Sequence, residues 1–156
     1  MANETERKFL VLPTIHEVLS GVSPNPICQG YIMDAPDGRT VRVRTKGDKG
    51  FLTIKGPSVG ISRSEFEYEI PFAEAEALLA DFCPKSLLKD RYELTYAGKL
   101  WEVDVFHGHL EGLIVAEIEL EGADENFAFP DWLGKEVSDD DRYYNVQLIN
   151  AMGVPE

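Results

Sequence analysis

The chain has 156 residues, with 15 Lys and Arg against 28 Asp and Glu, a formal net charge of −13. That length supports one domain over residues 1–156, large enough to need neither a disulfide nor a structural metal for stability. The charge excludes a general binder of nucleic-acid duplex or anionic membrane, and 44% hydrophobic with 10% aromatic residues exclude a disordered acidic chain. The opening Met1-Ala-Asn-Glu-Thr-Glu-Arg-Lys8 lacks the basic and apolar regions of a signal peptide, and no stretch approaches a membrane span. Cys28 and Cys83 have no C-x-x-C or histidine partner spacing, so two reduced thiols in a cytoplasmic protein are expected.

Most of the chain is a succession of short runs alternating charged and apolar residues, the pattern of strands with two unlike faces. The first, from Glu4 to Val11, sets Glu4, Glu6 and Lys8 against Thr5, Arg7, Phe9 and Val11. A short helix is predicted over residues 14–20, with Thr14 and Glu17 as a capping box and Gly21 after its end. Residues 29–34 form a second strand, and Asp37-Gly38 turns the chain into a third over residues 40–45, where Arg42 and Arg44 oppose Val41 and Val43. The fourth, residues 51–55, sets Thr53 and Lys55 against Leu52 and Ile54. The fifth, residues 63–70, sets Arg63, Glu65, Glu67 and Glu69 against Phe66, Tyr68 and Ile70.

Strong helix formers over residues 73–82 predict a second helix, ended by Pro84. Residues 87–96 carry Lys89, Arg91 and Glu93 in phase, and Ala97-Gly98 leads into a seventh strand over residues 100–106, where Glu102 and Asp104 oppose Trp101, Val103 and Val105. The eighth, residues 113–121, carries Glu117, Glu119 and Glu121. Residues 127–133 read as an aromatic loop, and Ser138 with Asp141 as the capping box of a C-terminal helix reaching about residue 152. His107 and His109 sit in a Gly-containing connection without a third ligand nearby and read as an ordinary loop.

A solvated sheet face would also alternate, but these faces repeat like charges at adjacent positions, which costs stability unless opposite charges lie between them. Mainly antiparallel β structure with a few flanking helices, closed into an eight-stranded barrel whose lumen holds the charged faces, satisfies that requirement. Such a lumen excludes a lipid ligand. Its carboxylates suit a hard divalent cation and its Arg and Lys side chains a compact polyanion, together the equipment of phosphoryl transfer.

These residues also carry a resemblance. Glu4-Thr-Glu6-Arg-Lys8 resembles the E-x-E-x-K signature of the CYTH superfamily, the triphosphate tunnel metalloenzymes. Gln29-Gly-Tyr31, Arg42-Val-Arg44, Lys55-Gly, Ser62-Arg63, Lys89-Asp-Arg91-Tyr92, Trp101-Glu-Val-Asp104 and Glu117-Ile-Glu119 follow in that family's order, as do Trp132, Tyr143 and Asn145. The resemblance implies a tunnel that binds a triphosphate with Mg²⁺ or Mn²⁺. It implies Glu4, Glu6, Glu117 and Glu119 as metal ligands, with Asp104 holding a cation or a metal-bound water. Lys8, Arg42, Arg44, Lys55, Arg63 and Arg91 would hold phosphate oxygens. Lys89 would be general base on the attacking water, acting with Glu6 and Glu119, while Glu65, Glu67 and Glu102 would hold the basic residues in place. The short bacterial branch points to hydrolysis of inorganic triphosphate to pyrophosphate and phosphate. A nucleoside or thiamine triphosphatase, a class IV adenylate cyclase and a non-catalytic polyphosphate-binding module stay open as alternatives, and the sequence admits a homodimer.

Overall fold

Alternation with period two produces strands wherever it persists, and here it persists nearly end to end. A computed structural model of the chain describes residues 3–155, so Met1, Ala2 and Glu156 lie outside the described residues. Among the described residues nine strands form: β1 (Asn3–Val11), β2 (Asn25–Asp34), β3 (Thr40–Lys46), β4 (Lys49–Lys55), β5 (Ser62–Ile70), β6 (Leu87–Tyr96), β7 (Lys99–Phe106), β8 (Ile114–Glu119) and β9 (Leu133–Glu136). Three helices accompany them: α1 (Ile15–Leu19), α2 (Phe72–Phe82) and α3 (Asn145–Leu148).

The strands are hydrogen-bonded in the order β5-β4-β3-β2-β6-β7-β8-β1, and β1 returns to β5, which closes an eight-stranded antiparallel barrel. The closing seam is short, pairing Asn3 with Ser64, Glu4 with Arg63 and Thr5 with Ser62. Past Thr5 the same edge of β1 would be left with unpaired backbone groups, and β9 takes them, pairing Phe9 with Glu136 and Val11 with Leu133. Residues 127–133, expected as a loop, thus lead into a ninth strand. Gly134 permits the approach, since a Cβ there would stand 2.9 Å from the Leu10 carbonyl oxygen.

The C-terminal helix expected from the Ser138 capping box does not form as one element. The chain makes a 3-10 turn at Asp141–Tyr143 and then the single turn of α3. Ser138 is used elsewhere: its hydroxyl accepts from the Lys8 N–H at 2.9 Å and donates to Glu136 at 2.6 Å. Asp140 instead accepts from the Arg142 N–H.

The apolar cores lie outside the strand cylinder and at one end of it. Outward residues of β1, β6, β7 and β8 (Phe9, Leu94, Trp101, Val103, Ala116 and Ile118) pack with Ile15 and Leu19 of α1 and with Trp132. Phe9, Trp101, Phe127 and Trp132 meet edge to face at 5.5–6.3 Å, the favoured geometry for aromatic quadrupoles. A second cluster closes one end of the lumen, where Leu87, Phe106 and Val115 meet Leu110, Val137, Tyr143 and Leu148. Helix α2 lies against β2, β3 and β4, with fully buried Ala75 seated over Gly50, where a Cβ would come within 2.6 Å of the Ala75 Cβ. Helices cover part of the outward apolar faces. On β4 and β5 they do not: Ile54, Phe66 and Tyr68 are exposed, because α2 covers only the Gly50 end of these strands. Among the described residues no helix is long and apolar enough to cross a membrane.

Candidate active site

Closure decides which face of each strand points inward. With Glu4 opposite Arg63, Glu6 opposite Glu119, Lys8 opposite Glu117, Arg42 opposite Thr53, Thr53 opposite Glu67 and Arg91 opposite Asp104, the charged positions of all these strands share one interior. Glu4, Lys8, Arg42, Arg44, Lys89, Arg91, Asp104 and Glu117 are all buried there. Buried charges persist only when paired, and pairing is extensive. Lys89 donates to Asp104 at 2.7 Å, and Arg91 holds both oxygens of the same carboxylate at 2.8 and 2.9 Å while reaching Glu102 at 3.4 Å. Arg42 and Arg44 share Glu67 at 3.5 and 3.4 Å, and Thr53 donates to that carboxylate at 2.7 Å. Lys55 grips Glu4 at 2.8 Å and reaches Glu65 at 3.6 Å. The expectation that Glu65, Glu67 and Glu102 anchor basic side chains matches these contacts.

Three sites deviate from simple pairing. Lys8 lies 3.7 Å from Glu117 and donates to the Tyr143 carbonyl oxygen at 3.0 Å, which ties the barrel wall to the tail. Arg63 donates to the Gly56 and Gly38 carbonyl oxygens, each at 2.9 Å. Asp104 has both oxygens engaged by cations, Lys89 and Arg91, and its charge is also felt by Glu117 of β8.

Charge is distributed unevenly around this interior. Burial, then Glu117 and Glu4, push the Glu6 carboxyl well above its ordinary range, and burial with Glu4 and Glu102 raises Glu119. Burial would raise Glu117 and Asp104 too, but Lys8 and Arg91 bring Glu117 down to about 2, and Arg91 with Lys89 hold Asp104 far below the carboxylate range. Burial pulls Lys89 down to about 8 despite Asp104, and burial with the neighbouring Arg42 and Arg91 pulls Arg44 to about 10. Glu6 and Glu119 therefore lie in negative charge that the lumen's own cations leave incompletely balanced, whereas Lys8 and Arg91 balance Glu117. Hard, mutually repelling oxygen donors fit a divalent cation such as Mg²⁺ or Mn²⁺. Among the described residues no three donors are gathered into a ready-made metal site, and Glu4 is held by Lys55, so occupation requires that Lys55 release Glu4.

A cavity opens beside this acidic group. It is lined by Glu4, Glu6, Lys8, Arg42, Lys55 and Arg63 from the predicted set, and by Tyr31, Ser58, Ser138 and Tyr144, none of which the sequence placed among the substrate, metal or catalytic residues. Tyr31 was detectable, since it shares the phase of Gln29 on β2. Ser58, Ser138 and Tyr144 come from irregular segments whose residues have no strand phase and give no such signal. His107 and His109 are not brought together: His107 bonds Asp90 at 2.9 Å, and His109 bonds the Leu148 carbonyl at 2.9 Å.

The model of the CYTH domain matches residues 2–150. The chain belongs to the CYTH family. Its relatives include an inorganic triphosphatase of Acetivibrio thermocellus, 47% identical over 151 residues and covering 96% of this chain and 94% of the relative. An inorganic triphosphatase of Nitrosomonas europaea is 37% identical over 155 residues, covering 97% and 99% of the two chains. A crystal structure of the inorganic triphosphatase NE1496 superposes with a TM-score of 0.65 at 33% identity, covering 98% of this chain and all of that one. This CYTH barrel thus shares its tunnel fold with a protein named for triphosphate hydrolysis.

Proposed function

We propose that this CYTH protein hydrolyses inorganic triphosphate to pyrophosphate and phosphate in a metal-dependent reaction. One observation carries the reading: a closed lumen in which an acidic bank on β1 and β8 faces a cationic bank on β3, β4 and β6. Its relationship to triphosphatases over nearly the whole chain supports the same substrate. The two free thiols, Cys28 and Cys83, support a reducing, cytoplasmic setting.

In this reading Glu4, Glu6, Glu117 and Glu119 hold the cation, Mg²⁺ or Mn²⁺ by the hardness of their oxygens. When bound, the cation polarises phosphate oxygens and offsets the charge that develops on them. Lys8, Arg42, Arg44, Lys55, Arg63 and Arg91 bind the phosphate chain. Lys55 exchanges Glu4 for substrate, and Glu67 and Glu102 give up part of their hold on the arginines. Asp104 we assign to keeping Lys89 and Arg91 in place, since both its oxygens are already engaged. Water attacks the terminal phosphorus, the anhydride P–O bond breaks with its electron pair remaining on pyrophosphate, and Lys89 takes the water proton. A lysine brought down to about 8 is neutral often enough near neutrality to serve as that base.

The test is phosphate release from tripolyphosphate by the purified chain, with ATP, thiamine triphosphate and pyrophosphate alongside, each with Mg²⁺, Mn²⁺ or EDTA. Fast turnover of tripolyphosphate that EDTA abolishes is the expected result. Preference for ATP with cyclic nucleotide as product, or tight tripolyphosphate binding without turnover, would overturn it.

A further inference from the structure

The inner face of β2 presents a group that neither the ion pairs nor the proposed reaction uses. Gln29 is fully buried, and among the described residues neither its amide nitrogen nor its amide oxygen has a hydrogen-bond partner. It pairs with Arg44 on β3 and with Leu87 on β6, and the pairing of Ile27 with Lys89 makes Lys89 its diagonal neighbour on the lumen side. The Nε–H groups of Arg42 and Arg44 are likewise buried and unpartnered. Unmade hydrogen bonds in a buried site cost stability, and such groups cluster where a ligand completes them.

The composition of this cluster identifies the ligand. Gln29 offers two donor hydrogens and one acceptor oxygen, and each arginine Nε offers one further donor. Phosphate oxygens accept and do not donate, so a phosphate chain satisfies the donors and leaves the Gln29 oxygen unmet. That oxygen needs a donor, and in a hydrolysis the attacking water supplies one. A glutamine that orients the attacking water is a recurring solution in phosphoryl transfer, because catalysis there is mostly positioning.

We propose, resting on the triphosphatase reading of this lumen, that Gln29 contacts both reactants: its amide N–H₂ holds an oxygen of the phosphoryl group under attack, and its Oε1 accepts a hydrogen bond from the attacking water. The second proton of that water points to Lys89, which receives it as the phosphorus–oxygen bond forms and the anhydride bond breaks. Gln29 is neither protonated nor consumed.

Stability and activity should then move in opposite directions. Gln29→Met keeps the length of the side chain and removes the unmet amide. In the full chain its melting temperature should equal or exceed that of the wild type, while kcat on tripolyphosphate falls on the order of 10²-fold, the scale of losing one preorganised donor. Gln29→Glu keeps an acceptor for the water and loses the donor, so its KM for tripolyphosphate should rise at least about fivefold, with a smaller loss in kcat than in the Met variant. Kinetics within twofold of wild type for Gln29→Met would overturn the assignment. Should that variant fail to fold by circular dichroism, an unchanged KM in Gln29→Glu would overturn it equally. Wild type that does not turn over tripolyphosphate would remove the triphosphatase reading and this assignment together, whereas kcat and KM unchanged from wild type in both variants would remove only the role of Gln29.

Discussion

The two faces of β7 show how labour is divided in this molecule. Trp101 and Val103 point outward into an apolar core without any exposed surface, while Glu102 and Asp104 point into a lumen of ion pairs. A small barrel ordinarily fills its interior with side chains that stabilise it. Here the principal apolar packing lies outside and at one end, which leaves the interior free to carry charges that packing alone would never select. The comparison teaches that stability and chemistry are assigned to opposite sides of the same strands. Substitutions on one side should be nearly silent on the other.

The largest test of that separation is Trp101→Ala, which empties the centre of the outer aromatic cluster. It should cost about 4 kcal/mol of stability, read by denaturant unfolding, while activity per folded molecule stays close to wild type. Asp104→Asn probes the place where the separation fails, because it leaves two buried cations without their carboxylate. A loss of about 3 kcal/mol is expected together with loss of activity. The folded carboxyl of Asp104 lies below its unfolded value, so its contribution is complete above about pH 4 and disappears as the pH falls toward the depressed value. Wild type and Asp104→Asn should therefore converge in stability in acid.

Glu6→Ala reverses the pattern of Trp101→Ala. Metal-dependent turnover should fall by at least about 10²-fold, and the melting temperature without metal should not drop, since removing this carboxylate relieves repulsion from Glu117 and Glu4. A lower melting temperature would give Glu6 a structural role instead. Lys89 sharpens the same side through the pH dependence of the rate. If it takes the water proton, kcat should rise with pH and level off through about 8, and Lys89→Met should abolish that rise. The smallest effect belongs to Arg7, which pairs at the surface with Glu136 at 2.6 Å and lies over the Phe9 and Phe127 rings. Arg7→Ala should cost no more than about 1 kcal/mol and leave kcat unchanged.

Much of this was legible from single residues. The phase shared by Glu4, Glu6 and Lys8, or by Lys89 and Arg91, is a local property of an extended chain, and the lumen face follows from it. β9 was not legible: its four residues pair only because β1 outlasts β5, a fact of closure rather than of composition. The C-terminal helix was misjudged for a related reason, because Ser138 has two possible partners and the folded chain offers it the Lys8 N–H and Glu136. The deadlock of Lys55 with Glu4, the double engagement of Asp104 and the unmet amide of Gln29 depend on distances between strands far apart in sequence.

By itself, then, the sequence determined the number and order of the barrel strands, the side on which each carries its charges, and the family to which that order belongs. These are short-range or order-preserving properties, and they survive translation into a line of letters. The tertiary structure alone decided which charged side chains pair with one another, which carboxylates are held by cations and which are pushed up by burial and like charge, and where the tail meets Lys8. Those outcomes rest on register and burial, and electrostatic energy depends on separation in space and on the exclusion of water, neither of which a linear pattern contains.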